Sequence, residues 1–249
     1  MALVEISDHP GGTRLLRLND PDRRNVISLA LGDVLRTAVA DCLTAGVPAV
    51  VITGQGSAFC AGADLPELFG EPGRSLDDTR AVLQNYYRAF LDVRELPMPT
   101  IAAVNGPAVG AGLNLALACD VRIAGVTAAF GATFARIGLH PGGGCTWLLV
   151  QQIGYARALE VLLRGQTLDA GAAVAAGLAS GPSDDPLDDA LKLSAEIADI
   201  EPELATQIKA TAQLAANGGS FDTVLTAETN AQALSTGSER LQGWVDRFR

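Results

Sequence analysis

Residues 100–120 read TIAAVNGPAVGAGLNLALACD. Thr100, Ile101, Ala102, Ala103 and Val104 form a short apolar run with a β-branched bias, and Asn105-Gly106-Pro107 breaks it. Gly110-Ala111-Gly112 then opens an apolar segment over 113–118. Periodicity alone does not separate a buried strand from a buried helix, so the flanking breakers decide: strand first, helix after the glycines. A helix that starts in such a turn leaves its first N–H groups without intrahelical acceptors, at the positive end of its dipole. An anion or a developing negative charge is favoured there. The plainer reading is a tight turn whose glycines allow close packing.

A second stretch repeats the pattern. VVITG (50–54) reads as a buried strand, and GSAFCAGADL (56–65) follows as a small-residue turn that presents backbone. Two turns of this kind, each leaving a strand, can aim one N–H apiece at a single oxygen. Donors so paired form an oxyanion hole, in which losing one donor costs about 2.7–4 kcal/mol.

With these motifs in hand the chain resembles the crotonase superfamily, the enoyl-CoA hydratases and isomerases. The resemblance is carried by SAFCAGADL (57–65), AAVNGPAVGAGLNLALACDVRIA (102–124), FGATFARIGLHPGGGCTWLLVQQIG (130–154) and ALEVLLRGQTLDAGAAVAAGLAS (158–180), in that order. It implies an α/β fold, a spiral of ββα units with a C-terminal helical region. PSDDP (182–186) marks the boundary. Residues 1–183 are expected to form the acyl-CoA-binding core and 184–249 a helical oligomerisation region. The resemblance further implies a homotrimer or homohexamer, a cytoplasmic setting in fatty-acid or lipid metabolism, and no cofactor beyond the coenzyme A of the substrate.

The resemblance also assigns positions. The two oxyanion donors fall on the backbone of Ala63 and Ala111. Ala111 stands where glycine is usual, which leaves the N–H in place. The family's hydratase glutamates fall on Asn114 and Phe134, and a third acid used by some isomerases falls on Gly142. Neither an amide nor a phenyl ring exchanges a proton at neutral pH, so glutamate-driven hydration is expected to be weak or absent. Asn114, three residues beyond Ala111, is expected on the same helix face, pointing toward the thioester.

His140, in the glycine-rich turn, is a candidate base or a hydrogen-bonded loop histidine. Asp64 reads as a helix cap, Glu67 as a solvated carboxylate within reach of the acyl pocket, and Cys60 and Cys145 as thiols lacking a base. For coenzyme A, NDPDRRN (19–25) matches the family's first contact region, so Arg23 or Arg24 is expected at the phosphates. The segment Ala61, Gly62, Ala63, Asp64 and Leu65 is expected to line the adenine through its backbone. GWVDRFR (243–249) supplies Trp244 and Arg247 toward a neighbouring subunit's ligand. Each arginine reads equally as a solvated surface charge.

Bulk composition narrows the classes. The chain has 249 residues and is 48% hydrophobic but only 5% aromatic, so its core is built of Ala, Val and Leu. A formal charge of −10 argues against a nucleic-acid partner. No apolar run reaches membrane-spanning length, and the N-terminus shows no secretory pattern. Cys42, Cys60, Cys119 and Cys145 lack metal-ligand spacing and read as reduced, buried thiols, so no metal site is expected. No dinucleotide fingerprint or P-loop is present, since Gly54-Gln55-Gly56 runs on to Phe59 where a glycine is required. GPAVGAG (106–112) offers no serine for peptidase chemistry.

Further expectations of local structure accompany these. A strand spans 13–19, Ser28 caps a helix over 29–45, and a further strand completes a parallel β–α–β step. Ser75 caps a long helix over 76–96. A helix covers 168–176, and beyond residue 186 everything reads helical. Two functions stay open: an enzyme that stabilises a thioester enolate, and a non-catalytic acyl-CoA carrier or sensor of the same fold.

Overall fold

Alternation along the central strands sets the layers. In the computed structural model, which describes residues 2–249, the sheet runs in the order β1 (Val4–Asp8), β2 (Arg14–Leu18), β3 (Val50–Gly54), β4 (Thr100–Val104), β6 (Val121–Gly125), β9 (Ser180–Ser183). Only β1 is antiparallel to its neighbour. Successive side chains on a strand point to opposite faces. Leu16, Leu18, Val50, Ile52, Ala102 and Val104 therefore enter one apolar cluster, and Leu15, Val51, Ile101 and Ala103 enter another.

The first cluster is covered by helices Leu29–Ala45, Leu76–Arg94 and Ala111–Ala118. All eight residues of Ala111–Ala118 are buried, which is why that segment carries no polar face apart from Asn114. The second cluster is covered by helix Pro186–Ala198. That helix lies beyond PSDDP yet packs on the sheet, so the first compact unit extends to Ala198.

Local signals act as read. Ser28 Oγ accepts the Leu31 amide at 3.1 Å, and Gly46 ends that helix in the left-handed conformation. Ser75 Oγ accepts the Asp78 amide and starts Leu76–Arg94. The helix expected over 168–176 is shorter. Thr167–Asp169 is strand β8, and Asp169 caps the helix Ala170–Ala175 by accepting the Ala172 amide at 2.8 Å. The break at Asn105-Gly106-Pro107 also differs, because Pro107–Val109 is strand β5. Proline sits at its first residue, where a missing N–H is tolerated. β5 pairs with β7 (Ala129–Gly131), and β7 with β8, in a second small sheet beside the cavity described below.

The second unit, from Asp199 to the C-terminus, contains helices Pro202–Ala216, Phe221–Ser235 and Glu239–Asp246. Within it Trp244 stacks on Phe248, and the Arg247 guanidinium lies 4.8 Å from the Trp244 ring centroid. No helix among the described residues is long and apolar enough to cross a membrane.

Candidate active site

The two glycine-bearing turns are joined directly. The Cys60 amide donates to the Pro107 carbonyl at 3.1 Å, and the Val109 amide returns to the Cys60 carbonyl at 2.9 Å. The approach leaves no room for side chains. A Cβ on Gly112 would fall 2.1 Å from the Cys60 carbonyl oxygen, and one on Gly62, at φ +114°, would fall 2.9 Å from the Val109 carbonyl oxygen.

Two asparagines hold the first turn in shape. Asn25, itself left-handed, donates from Nδ2 to the carbonyls of Gln55, Ala58 and Phe59. Asn105 accepts the Gly54 amide at 3.1 Å and donates to the Gly56 carbonyl at 3.0 Å. Neither asparagine stands out in the sequence, because the carbonyls they bind lie far along the chain.

Ala63 and Ala111 follow from this arrangement, since a Cβ on Gly62 would lie 3.9 Å from the Ala111 nitrogen. Ala111 opens its helix and so lacks an intrahelical acceptor. Among the described residues neither amide finds a hydrogen-bond acceptor. Both residues line a cavity of about 310 Å³ together with Ala61, Gly62, Leu65, Asn114, Phe134, His140 and Gly142. Most positions expected from the sequence therefore meet in one place.

The rest of the wall is largely apolar and aromatic, with Leu68, Leu83, Phe90 and Leu139 prominent. Two tyrosines, Tyr86 and Tyr87, enter it from helix Leu76–Arg94. No motif in the sequence marks them for this place. Burial pushes both phenol pKa values up. Among the described residues no carboxylate lines the cavity.

Asn114 takes an unexpected role. Its Nδ2 donates to the Gly142 carbonyl at 2.9 Å, tying the helix to the glycine-rich turn. Oδ1 is buried without a hydrogen-bond partner. His140 Nδ1 lies 2.8 Å from the Pro141 carbonyl. A carbonyl only accepts, so Nδ1 is the donor in this contact.

The remaining candidates lie off the cavity. Asp64 caps helix Leu65–Phe69 by accepting the Glu67 amide and forms an ion pair with Arg23. Arg24 is exposed and left-handed, and its carbonyl accepts the Ala61 amide at 2.9 Å. Glu67 Oε2 accepts the Leu29 amide at 2.8 Å, so it serves the start of a neighbouring helix rather than the acyl pocket. Cys60 and Cys145 are buried, and burial pushes each thiol up to about 12, far from a reactive thiolate.

Relatives share this architecture. The enoyl-CoA hydratase/isomerase family model matches residues 9–247. The "Probable enoyl-CoA hydratase EchA14" of Mycobacterium tuberculosis is 48% identical over 221 residues, covering 88% of this chain and 84% of that protein. The 2,3-dehydroadipyl-CoA hydratase of Escherichia coli is 39% identical over 192 residues, covering 76% of this chain and 73% of that protein. Among solved structures, an enoyl-CoA hydratase from Bacillus anthracis superposes with a TM-score of 0.89 at 30% identity, over 98% of this chain and 95% of that one. On a family match spanning nearly the whole sequence and a crotonase-type α/β fold, the chain belongs to the enoyl-CoA hydratase/isomerase family of the crotonase superfamily.

Proposed function

We propose that this chain acts on an acyl-CoA thioester in fatty-acid or lipid metabolism, gripping the thioester oxygen between the amides of Ala63 and Ala111. The observation that carries the reading is the pair of unpartnered amides on two interlocked turns at the cavity wall. When an enolate forms, its oxygen gains charge, and fixed donors favour that state over the ground-state carbonyl. Asn114, Phe134 and Gly142 stand where the family places its acids, and none of them exchanges a proton. His140 is the imidazole available on the wall for proton transfer.

In this reading Ala61, Gly62 and Leu65 face the ligand through the first turn, Arg23 or Arg24 meets the phosphates, and Trp244 and Arg247 complete a neighbour's site. Arg23 would exchange its Asp64 partner for phosphate. The assembly would be a homotrimer or homohexamer working in the cytoplasm.

Titration with crotonyl-CoA and longer enoyl-CoAs, following enoyl absorbance and heat of binding together, tests the proposal. Saturable binding is expected, with hydration about 10²–10⁴-fold below relatives that carry both glutamates. Ordinary hydratase turnover would overturn the reading of the replaced acids, and absence of binding would overturn the acyl-CoA assignment. Binding with no turnover on any acyl-CoA would favour a carrier or sensor, a reading that the carboxylate-free wall supports.

A further inference from the structure

Consecutive tyrosines on helix Leu76–Arg94 are used differently. The Tyr86 hydroxyl is spent, donating to the Ile27 carbonyl at 2.9 Å. Tyr87 lies half-buried on the cavity wall, and its hydroxyl proton has no acceptor among the described residues. Gly143 lies beside the Tyr87 oxygen and offers its proton no acceptor, which leaves that proton free to turn toward the cavity. A Cβ on Gly142 would fall 2.3 Å from Tyr87 Oη. The phenol therefore occupies the space into which a side chain at 142 would project, the position that the sequence resemblance gave to an acid.

The location along the ligand follows from the same contacts. Asn114 lies three residues, about 4.5 Å along the helix axis, beyond the Ala111 amide, and its Nδ2 holds the Gly142 carbonyl. Gly142 and Gly143 in turn lie against Tyr87. The phenol thus addresses the acyl carbons next to the thioester rather than the far end of the chain. A free donor in a largely apolar stretch of wall orients a ligand and discriminates against one that cannot accept from it.

We propose that Tyr87 is a specificity-determining binding residue, whose hydroxyl donates to an oxygen substituent on the acyl carbons adjoining the thioester, so that the cavity prefers oxygen-bearing acyl chains over saturated ones. This rests on the acyl-CoA reading above. Burial keeps the phenol protonated, as a donor must be.

Calorimetric affinities for each enantiomer of 3-hydroxybutyryl-CoA and for butyryl-CoA test it. The wild-type protein should bind one hydroxy enantiomer about three- to tenfold more tightly than butyryl-CoA. Tyr87→Phe keeps the ring packed against Tyr86 and Phe90 and should bring that ratio to about one. Gly142→Ala keeps the hydroxyl but displaces it, and should collapse the ratio likewise. Should Tyr87→Phe fail to fold, Gly142→Ala decides alone. A wild-type ratio near one, or a preference that survives the substitutions, overturns the inference while leaving the acyl-CoA reading intact. Failure of the wild-type protein to bind any of the three thioesters overturns both.

Discussion

The cavity has two unlike sides. One is backbone: the turns at 56–63 and 106–112, stitched together by main-chain hydrogen bonds and glycine contacts too close for any side chain. The other is side chain: Asn114, Phe134, Tyr87 and the turn at 138–144. On the proposed reading, the backbone side holds a carbonyl oxygen. The side-chain wall offers an amide, a phenyl ring and a hydrogen at the positions to which the resemblance gives acids. Holding a charge and moving a proton would then be separable parts of the site. The first rests on main-chain geometry that few substitutions reach, and the second on three replaceable positions.

The contrast is sharpest at Gly112. Gly112→Val drives atoms into the Cys60 carbonyl, 2.1 Å from where Cβ would sit. It should destabilise the fold by about 3 kcal/mol or more and abolish acyl-CoA binding. Urea denaturation with ligand titration checks this, and a stable, binding-competent variant would dissolve the distinction between the two sides.

Asn25→Ala comes next. It leaves three carbonyls short of a donor and should cost about 2–3 kcal/mol while weakening binding from outside the cavity. An unchanged affinity would show that the first turn holds its shape without Asn25.

The thiols test whether both sides are equally closed. Burial raises Cys60 behind the backbone turn and Cys145 behind the glycine-rich turn to about 12, and Cys42 to about 11. Each folded value lies above the ordinary thiol value of 9.0. The unfolded chain therefore loses these protons first as pH rises. The stabilisation is complete below pH 9 and is lost as pH climbs from there toward the folded values. Stability should fall by about 1.4 kcal/mol per thiol per pH unit in that window. Denaturation midpoints from pH 8 to 10.5 measure it, and a flat profile would mean that the interior is open to water.

The smallest effect is expected at Asn114. Replacing it by alanine removes the donor to Gly142 and also an acceptor that has no partner. The two changes oppose each other, so the net loss should be about 1 kcal/mol. A loss above about 3 kcal/mol in the same denaturation assay would give Asn114 a structural weight equal to that of Asn25.

Local grammar made much of this legible. Ser28 and Ser75 begin their helices where capping rules place them, because the cap and its amide partner are three residues apart. The alternating apolar runs at 50–54 and 100–104 become central strands buried on both faces. Ala63, Ala111, Phe134 and Gly142 converge because the motif spacing already encodes the two turns and the loop. What stayed hidden depends on distant partners. Asn25 binds carbonyls thirty or more residues away. Tyr87 faces the glycine-rich turn from a helix whose pattern shows only an apolar stripe. The short strands β1, β5, β7 and β9 owe their existence to neighbours more than to their own composition. Arg23 reads as free for a phosphate until Asp64 is placed beside it.

The contact between Gly142 and Tyr87 reaches beyond the present sequence. With the phenol oxygen where a first side-chain atom would go, an aspartate at 142 has nowhere to stand unless the aromatic ring opposite shrinks. Seating an acid there takes two coordinated replacements, and each alone is unfavourable: a collision in one order, a hole in the other. The two positions therefore act as a latch, and neither can change profitably without the other.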